Sequence, residues 1–228
     1  MKPVSAGRWR EAQQHELDFW RSWRELPVYR GLDLARYWAG ERERFGLPPD
    51  FFRRQMVLDV GCGPVGLIHF LPEASLRIRM DPLLAEYRDK LPLDEPGLSV
   101  VATGERLPLP DSAVDVAICF NALDHMRDPQ AALGELARVL RSGGTLLLMA
   151  HTFPRWTMPL LAADRLHPHH WTAAAFAAEV RQFLTVQRVH SERRRFGLSW
   201  RESLRPRNWK YAAASRVLDS TYVVAQRL

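Results

Sequence analysis

The residues of this chain with the clearest chemical use are three glycines behind an aspartate. The stretch from Met56 to Gly66 reads MVLDVGCGPVG, a short apolar run that ends in Asp59 and turns through Gly61, Gly63 and Gly66. Glycine carries no side chain to hold a ligand off, so such a turn lets backbone N–H groups close on a nucleotide-like molecule. The glycines satisfy the G-x-G-x-x-G spacing of dinucleotide sites, and Asp81 follows at the spacing expected of an acid that binds ribose hydroxyls. Taken alone, the turn leaves a nicotinamide or flavin site open.

Histidines form the second set. His125 and His151 each leave the end of an apolar run, Asp124 stands beside the first, and the segment DRLHPHHW puts His167, His169 and His170 shortly after Asp164. Imidazole exchanges a proton near neutral pH, and a neighbouring carboxylate can orient it. The cluster after Asp164 could also ligate a metal. However, Pro168 extends the loop and no second ligand set of diagnostic spacing appears, so the expectation is no metal. His167 and His169 are expected instead to meet a polar substrate or to pack the loop.

The elements that must position these groups follow from periodicity. The first fifty residues read as two helices. One spans Arg8 to Leu26, with Trp9, Ala12, Leu17, Trp20 and Trp23 at helical spacing; the other follows Asp33, a plausible N-cap, and stops at Gly46. With no strand nearby, residues 1–50 are expected to form a helical lid over the glycine turn, with Trp20 as a candidate substrate wall and the packing of aromatics onto the core as the alternative. Residues 51–228 then alternate strand and helix, the pattern of a mostly parallel sheet. Strands are expected at Met56 to Val60, Leu76 to Met80, Leu98 to Ala102, Val114 to Phe120, Thr145 to Ala150, Thr185 to His190 and Thr221 to Gln226, the last pair antiparallel. A helix capped by Asp128, opened by Pro129 and stopped by Ser-Gly-Gly precedes the fifth strand, and another runs from Thr172 to Leu184.

A composition of 46% hydrophobic and 25% charged residues is that of a globular chain, and no apolar run reaches the length of a membrane span. The N-terminal residues lack a signal-peptide core, so a cytoplasmic protein is expected. Cys62 and Cys119 are expected to be small apolar residues rather than a disulfide or zinc pair. The net charge of +6 is local: Thr185 to Leu228 carries ten Arg and Lys against three acids, chiefly from Arg193 to Lys210. That segment reads either as a solvated surface or as a patch for an anionic partner.

With these residues in place, the chain resembles the class I S-adenosylmethionine-dependent methyltransferases, in particular the small type 11 group. Four ordered blocks carry the resemblance between Met56 and Met149: LDVGCGP, RMDP, GERLPLPDSAVDVAICFNALDH and ELARVLRSGGTLLL. It implies a Rossmann-like α/β fold with a seven-stranded, mostly parallel sheet and helices on both faces. It also implies S-adenosyl-L-methionine as cofactor, with Asp59, Gly61, Cys62 and Gly63 around its methionine and ribose and Asp81 on the ribose hydroxyls. Gly104 and Glu105 would border the adenine, and Phe120 and Asn121 would lie near the methionine ammonium. Two positions depart from the family pattern: Val65 stands where many members have a third glycine, and Thr103 where many have an aspartate.

Methyl transfer from a sulfonium is an in-line displacement that mainly needs alignment, and a hydroxyl acceptor must also lose a proton. His125, assisted by Asp124, and His151 are the candidate catalytic residues. A small-molecule or glycan-like acceptor is expected in an enclosed pocket. The alternatives are RNA or another anionic acceptor, favoured by Trp200, Trp209 and Tyr211 among the arginines, a peripheral contact with anionic membrane, and a non-catalytic binding protein.

Overall fold

The computed structural model describes residues 3–26, 29–87, 97–161, 164, 167–194 and 209–228, with side chains from 213 onward in the last stretch. The arginine-rich segment from Arg195 to Arg207, with Trp200, and the side chains of Trp209, Lys210 and Tyr211 lie outside the described residues.

The strands are β1 (Met56–Val60), β2 (Leu76–Met80), β3 (Leu98–Val100), β4 (Val114–Phe120), β5 (Leu140–Thr152), β6 (Thr185–Arg193) and β7 (Asp219–Gln226). They form one seven-stranded sheet in the order β3-β2-β1-β4-β5-β7-β6. Strands β1 to β5 pair in parallel, and β7 runs antiparallel to both β5 and β6. The chain moves outward from β1 through β2 to β3, then restarts on the other side at β4. That reversal opens a crevice at the carboxyl ends of β1 and β4, where ligands collect in such sheets.

Apolar residues on both faces of β1, β4, β5 and β7 call for cover on both sides. On one face Leu58, Val60, Ile78, Ala117, Cys119, Leu146 and Leu148 pack against Leu133 and Leu136 of α4 (Pro129–Val139) and Phe176 and Val180 of α6 (Ala173–Arg181). On the other, Val57, Val116, Ile118, Leu147 and Met149 meet Trp38 and Phe45 of α2 (Leu34–Phe45) together with Leu67 and Ile68. Each leucine or phenylalanine so buried contributes about 1.5–3 kcal/mol before the entropy of ordering it is subtracted. The remaining helices are the short α3 (Leu84–Tyr87) and α5 (Met158–Leu161), and α7 (Trp209–Val217). No helix among the described residues is long and apolar enough to cross a membrane.

The helices begin where their caps stand: Ser5 Oγ accepts from Arg8 N at the start of α1 (Ala6–Ser22), Asp33 caps α2, and Asp128 accepts from Gln130 N and Ala131 N at α4. Three expectations about elements are corrected. Helix α4 stops at Val139 rather than at Ser-Gly-Gly, because Leu140 already pairs with Val114 across a bulge and belongs to β5. Strand β3 ends at Val100, two residues early. The helices of the first fifty residues also divide in role. Helix α1 roofs the crevice, whereas α2, which lines it too, has a strand partner after all: Phe45 packs edge-on against Tyr222 of β7. Trp38 Nε1 meanwhile donates to Val65 O at 2.7 Å.

Candidate functional site

The turn after β1 is built from conformations that only glycine holds without strain. Gly61 and Gly63 have φ of +70° and +53°. A methyl group on Gly61 would lie 2.3 Å from Ala122 Cβ, and one on Gly63 would lie 3.3 Å from the Trp20 ring of α1. Beneath the turn, Asp59 is buried. Its Oδ2 accepts from Ile68 N, and its Oδ1 has no hydrogen-bond partner among the described residues. Burial, opposed by the Ile68 N–H and aided by the Asp81 charge, pushes its pKa up to about 7. Asp81, at the end of β2, accepts from Gly63 N at 3.0 Å and Leu83 N at 2.8 Å. Burial raises it to about 6 in spite of those two bonds.

These groups open into a cavity of about 520 Å³. Gly104 and Glu105 line one wall, with Glu105 Oε1 accepting from Arg127 N and Asp128 N. Phe120 stands edge-on to Trp38 at 4.7 Å between ring centres, and Asn121 holds φ +51° with its Oδ1 buried and unpartnered among the described residues. Cys62 lines the turn. Burial holds its thiol well above the usual range, so it is no nucleophile. Cys119 is likewise free and buried in β4.

The far end of the cavity gathers the histidines. Asp124 and His125 lie on the turn after β4. The His125 ring nitrogens stand 3.8 Å from a carboxylate oxygen of Glu16 on one side and of Asp124 on the other. Asp124 is 4% exposed; burial would raise its carboxyl, but the charges of His125 and His167 outweigh that and hold it below the usual range. His151, at the end of β5, is depressed to about 4 by burial and stays neutral. His167 Nδ1–H donates to Asp164 Oδ2 at 2.8 Å; burial opposes its charge, but this bond and the Asp124 field raise it to about 9.

Every residue anticipated for the site lines this cavity except His169, which is 4% exposed and donates from Nε2 to Met126 O at 3.0 Å. It holds the loop in place, and His170 faces the cavity, bonded to Asp164 at 3.2 Å. Sequence reasoning missed Glu16, Tyr37 and Phe153. Glu16 carried a signal: it sits one turn before Trp20, whose Nε1 donates to it at 2.7 Å.

Two orphaned carbonyl or carboxylate oxygens, two carboxylates raised by burial, and a turn whose side chains are missing where a ligand must lie suit a cationic molecule with hydroxyls. S-adenosylmethionine has a sulfonium, an ammonium and a ribose diol, and it fits that donor set. Asp81 keeps acceptor capacity beyond its two backbone bonds for that diol.

A methyltransferase domain is recognised over residues 58–148. An uncharacterized methyltransferase of Mycobacterium bovis is 36% identical over 139 residues, which are 57% of this chain and 54% of the relative. The chain thus spans about half the length of the curated relatives it matches. Among solved structures, the cyclase SpnF superposes with a TM-score of 0.70 at 18% identity, covering 99% of this chain and 98% of that one. Geranyl diphosphate C-methyltransferase of Streptomyces coelicolor, in complex with Mg2+, geranyl diphosphate and S-adenosyl-L-homocysteine, gives 0.64 at 13% identity, covering 85% and 78%. Residues 58–148 are thus a methyltransferase domain, and the sheet order with the glycine turn over Asp59 gives the chain the fold of the class I S-adenosylmethionine-dependent methyltransferases.

Proposed function

We propose that the protein moves a methyl group from S-adenosylmethionine to a hydroxyl oxygen of a small-molecule or glycan-like acceptor. One observation carries this reading: the donor turn and the histidine–carboxylate cluster share a single cavity roofed by α1. The donor supplies an electrophilic methyl group on a sulfonium. Asp59, Gly61, Gly63, Asp81 and Asn121 would hold it, while Trp9, Phe19, Trp20 and Trp23 keep water from the reacting centre. Imidazole of His125 takes the acceptor proton, and the carboxylates of Glu16 and Asp124 stabilise the cation so formed. His151, neutral and with Nδ1 unpartnered among the described residues, is the second candidate for that task. A roofed cavity favours a small acceptor over RNA.

Calorimetry with S-adenosylmethionine and its demethylated product, and methyl transfer from labelled donor, test the reading. His125→Ala is expected to slow turnover about 100-fold or more while product affinity stays within a few-fold of wild type. Absence of affinity for either cofactor form would remove the methyltransferase reading. Unchanged turnover in both His125→Ala and His151→Ala would remove the histidine base. Salt-sensitive RNA binding that competes with the small acceptor would move the assignment to an RNA substrate.

A further inference from the structure

The spacing of the histidines in sequence is not that of a metal site, yet the fold gathers them from two distant segments. Asp124 and His125 come from the turn after β4, and His167 from the loop that follows α5. One ligand atom from each lies within 4.8 Å of the other two. The His125 and His167 ring centres are 4.9 Å apart.

Two independent observations point to a ligand between them. Asp124 is 4% exposed, its Oδ2 stands 3.8 Å from His125 Nε2, too far for a direct hydrogen bond, and its Oδ1 has no hydrogen-bond partner among the described residues, so the buried carboxylate is under-satisfied. His167 is also oriented from behind. Its Nδ1–H donates to Asp164 Oδ2, which leaves Nε2 as the nitrogen that can face a ligand, a metal ion displacing the proton there. A carboxylate bonded to the far nitrogen of an imidazole is the outer partner that metal-ligating histidines regularly have, and it makes the ring a better donor. Asp164 reaches His170 from the same oxygen, so the loop side of the cluster is tied together.

We propose that Asp124, His125 and His167 bind one divalent first-row metal ion, with Asp164 as the positioning residue behind His167. Two imidazoles and a carboxylate are the borderline donor set that suits Zn2+, Co2+, Fe2+ or Mn2+ rather than an all-oxygen Mg2+ or Ca2+ site. Bonds of about 2.0–2.2 Å draw ligands to roughly 3–3.5 Å of one another, a contraction that side-chain rotation supplies. Three protein ligands leave open positions, and these face the same cavity as the donor turn. The natural occupant of an open position is an oxygen of the acceptor. This deepens the proposed function and rests on it in that respect: with the ion bound, His125 would serve as a ligand, and His151, the second candidate, would take the proton that the ion-bound hydroxyl releases.

The test starts from protein stripped with a chelator and then dialysed, and titrates it with Zn2+ by calorimetry and with Co2+ by visible absorption. One equivalent bound at micromolar or tighter affinity is expected, with Co2+ bands of a nitrogen- and oxygen-ligated ion. His167→Ala and His125→Gln should each weaken binding by on the order of 100-fold, and Asp164→Asn by about 10-fold. His190→Ala, a surface histidine in β6, should change nothing. The proposal is overturned if wild-type protein binds neither ion better than millimolar, or if the His125→Gln, His167→Ala double variant binds as tightly as wild type. The wild-type titration decides the matter even if a variant fails to fold. Cofactor affinity of the chelated protein reads the methyltransferase assignment separately, since metal binding without it would sink that assignment and leave the metal site standing.

Discussion

Asp59 sits beneath the glycine turn at 1% exposure, and burial keeps its carboxyl protonated up to about pH 7. The sign of its effect on stability follows. At pH below the ordinary value of 3.8 both folded and unfolded chains hold the proton, so the residue is neutral to stability. As pH rises from there to about 7 the unfolded chain gives up the proton first, and the ligand-free fold loses stability, fully so above pH 7. Asp59→Asn keeps an acceptor for Ile68 N and removes the charge. The variant should therefore be more stable than wild type at pH 8, by on the order of 2–4 kcal/mol, equal to it near pH 4, and weaker in cofactor affinity. Urea melts at the two pH values check this, and equal stability at pH 8 would refute it. Local spacing was enough to bring Asp59, Gly61, Gly63 and Asp81 to one wall, because strand, turn and acid are neighbours along β1 and β2. The directions taken by loop side chains were not legible. His169 and His170 are adjacent in sequence, yet one turns to Met126 and the other to the cavity.

At the scale of elements, the turn after β1 and the start of β5 both need positive φ, but they differ in what surrounds them. Gly61 faces Ala122, whereas Gly143, at φ +76°, has nothing within 4 Å of an added methyl group. Gly143→Ala should cost only the left-handed backbone penalty, about 1–2 kcal/mol. Gly61→Ala adds a clash and should cost about 2–4 kcal/mol, with loss of cofactor binding. Chemical denaturation of the two variants separates the terms, and equal costs would show that the packing around Gly61 yields freely. Strand cores and two helix caps were readable in advance, since Asp33 and Asp128 each cap the helix their position implies. The end of α4 was not. Leu140 continues the apolar stripe of the helix, and only its pairing with Val114 assigns it to the sheet.

For the molecule as a whole, a buried polar knot binds the N-terminal helices to the last strands. Glu41 of α2 is 1% exposed; it accepts from Tyr222 Oη at 2.6 Å and from Arg194 Nη1 at 3.4 Å. Arg194 in turn lies 5.8 Å from the centre of the Tyr37 ring. Removing one partner leaves the others desolvated, so Glu41→Ala should cost about 3–5 kcal/mol, and Tyr222→Phe nearer 1–2 kcal/mol. Urea unfolding measures both, and a loss below 1 kcal/mol for Glu41→Ala would mean the knot is solvated. None of this was visible in the chain. An amphipathic helix announces that it buries a face, but not against what, and Glu41 and Tyr222 stand 181 positions apart.

Helix α1 touches both halves of the chemistry at once. Trp20 rests on Gly63, where the proposed donor would lie, and Glu16, one turn earlier, faces His125, where the proposed acceptor would lie. The helix is pinned at its near end, where Val4 N donates to Arg127 O and Arg8 donates to Asp164 O. A donor-sized molecule laid against Gly63 would meet the Trp20 indole, and a molecule bound at His125 would meet Glu16, so one helix would touch both reactants of the proposed reaction.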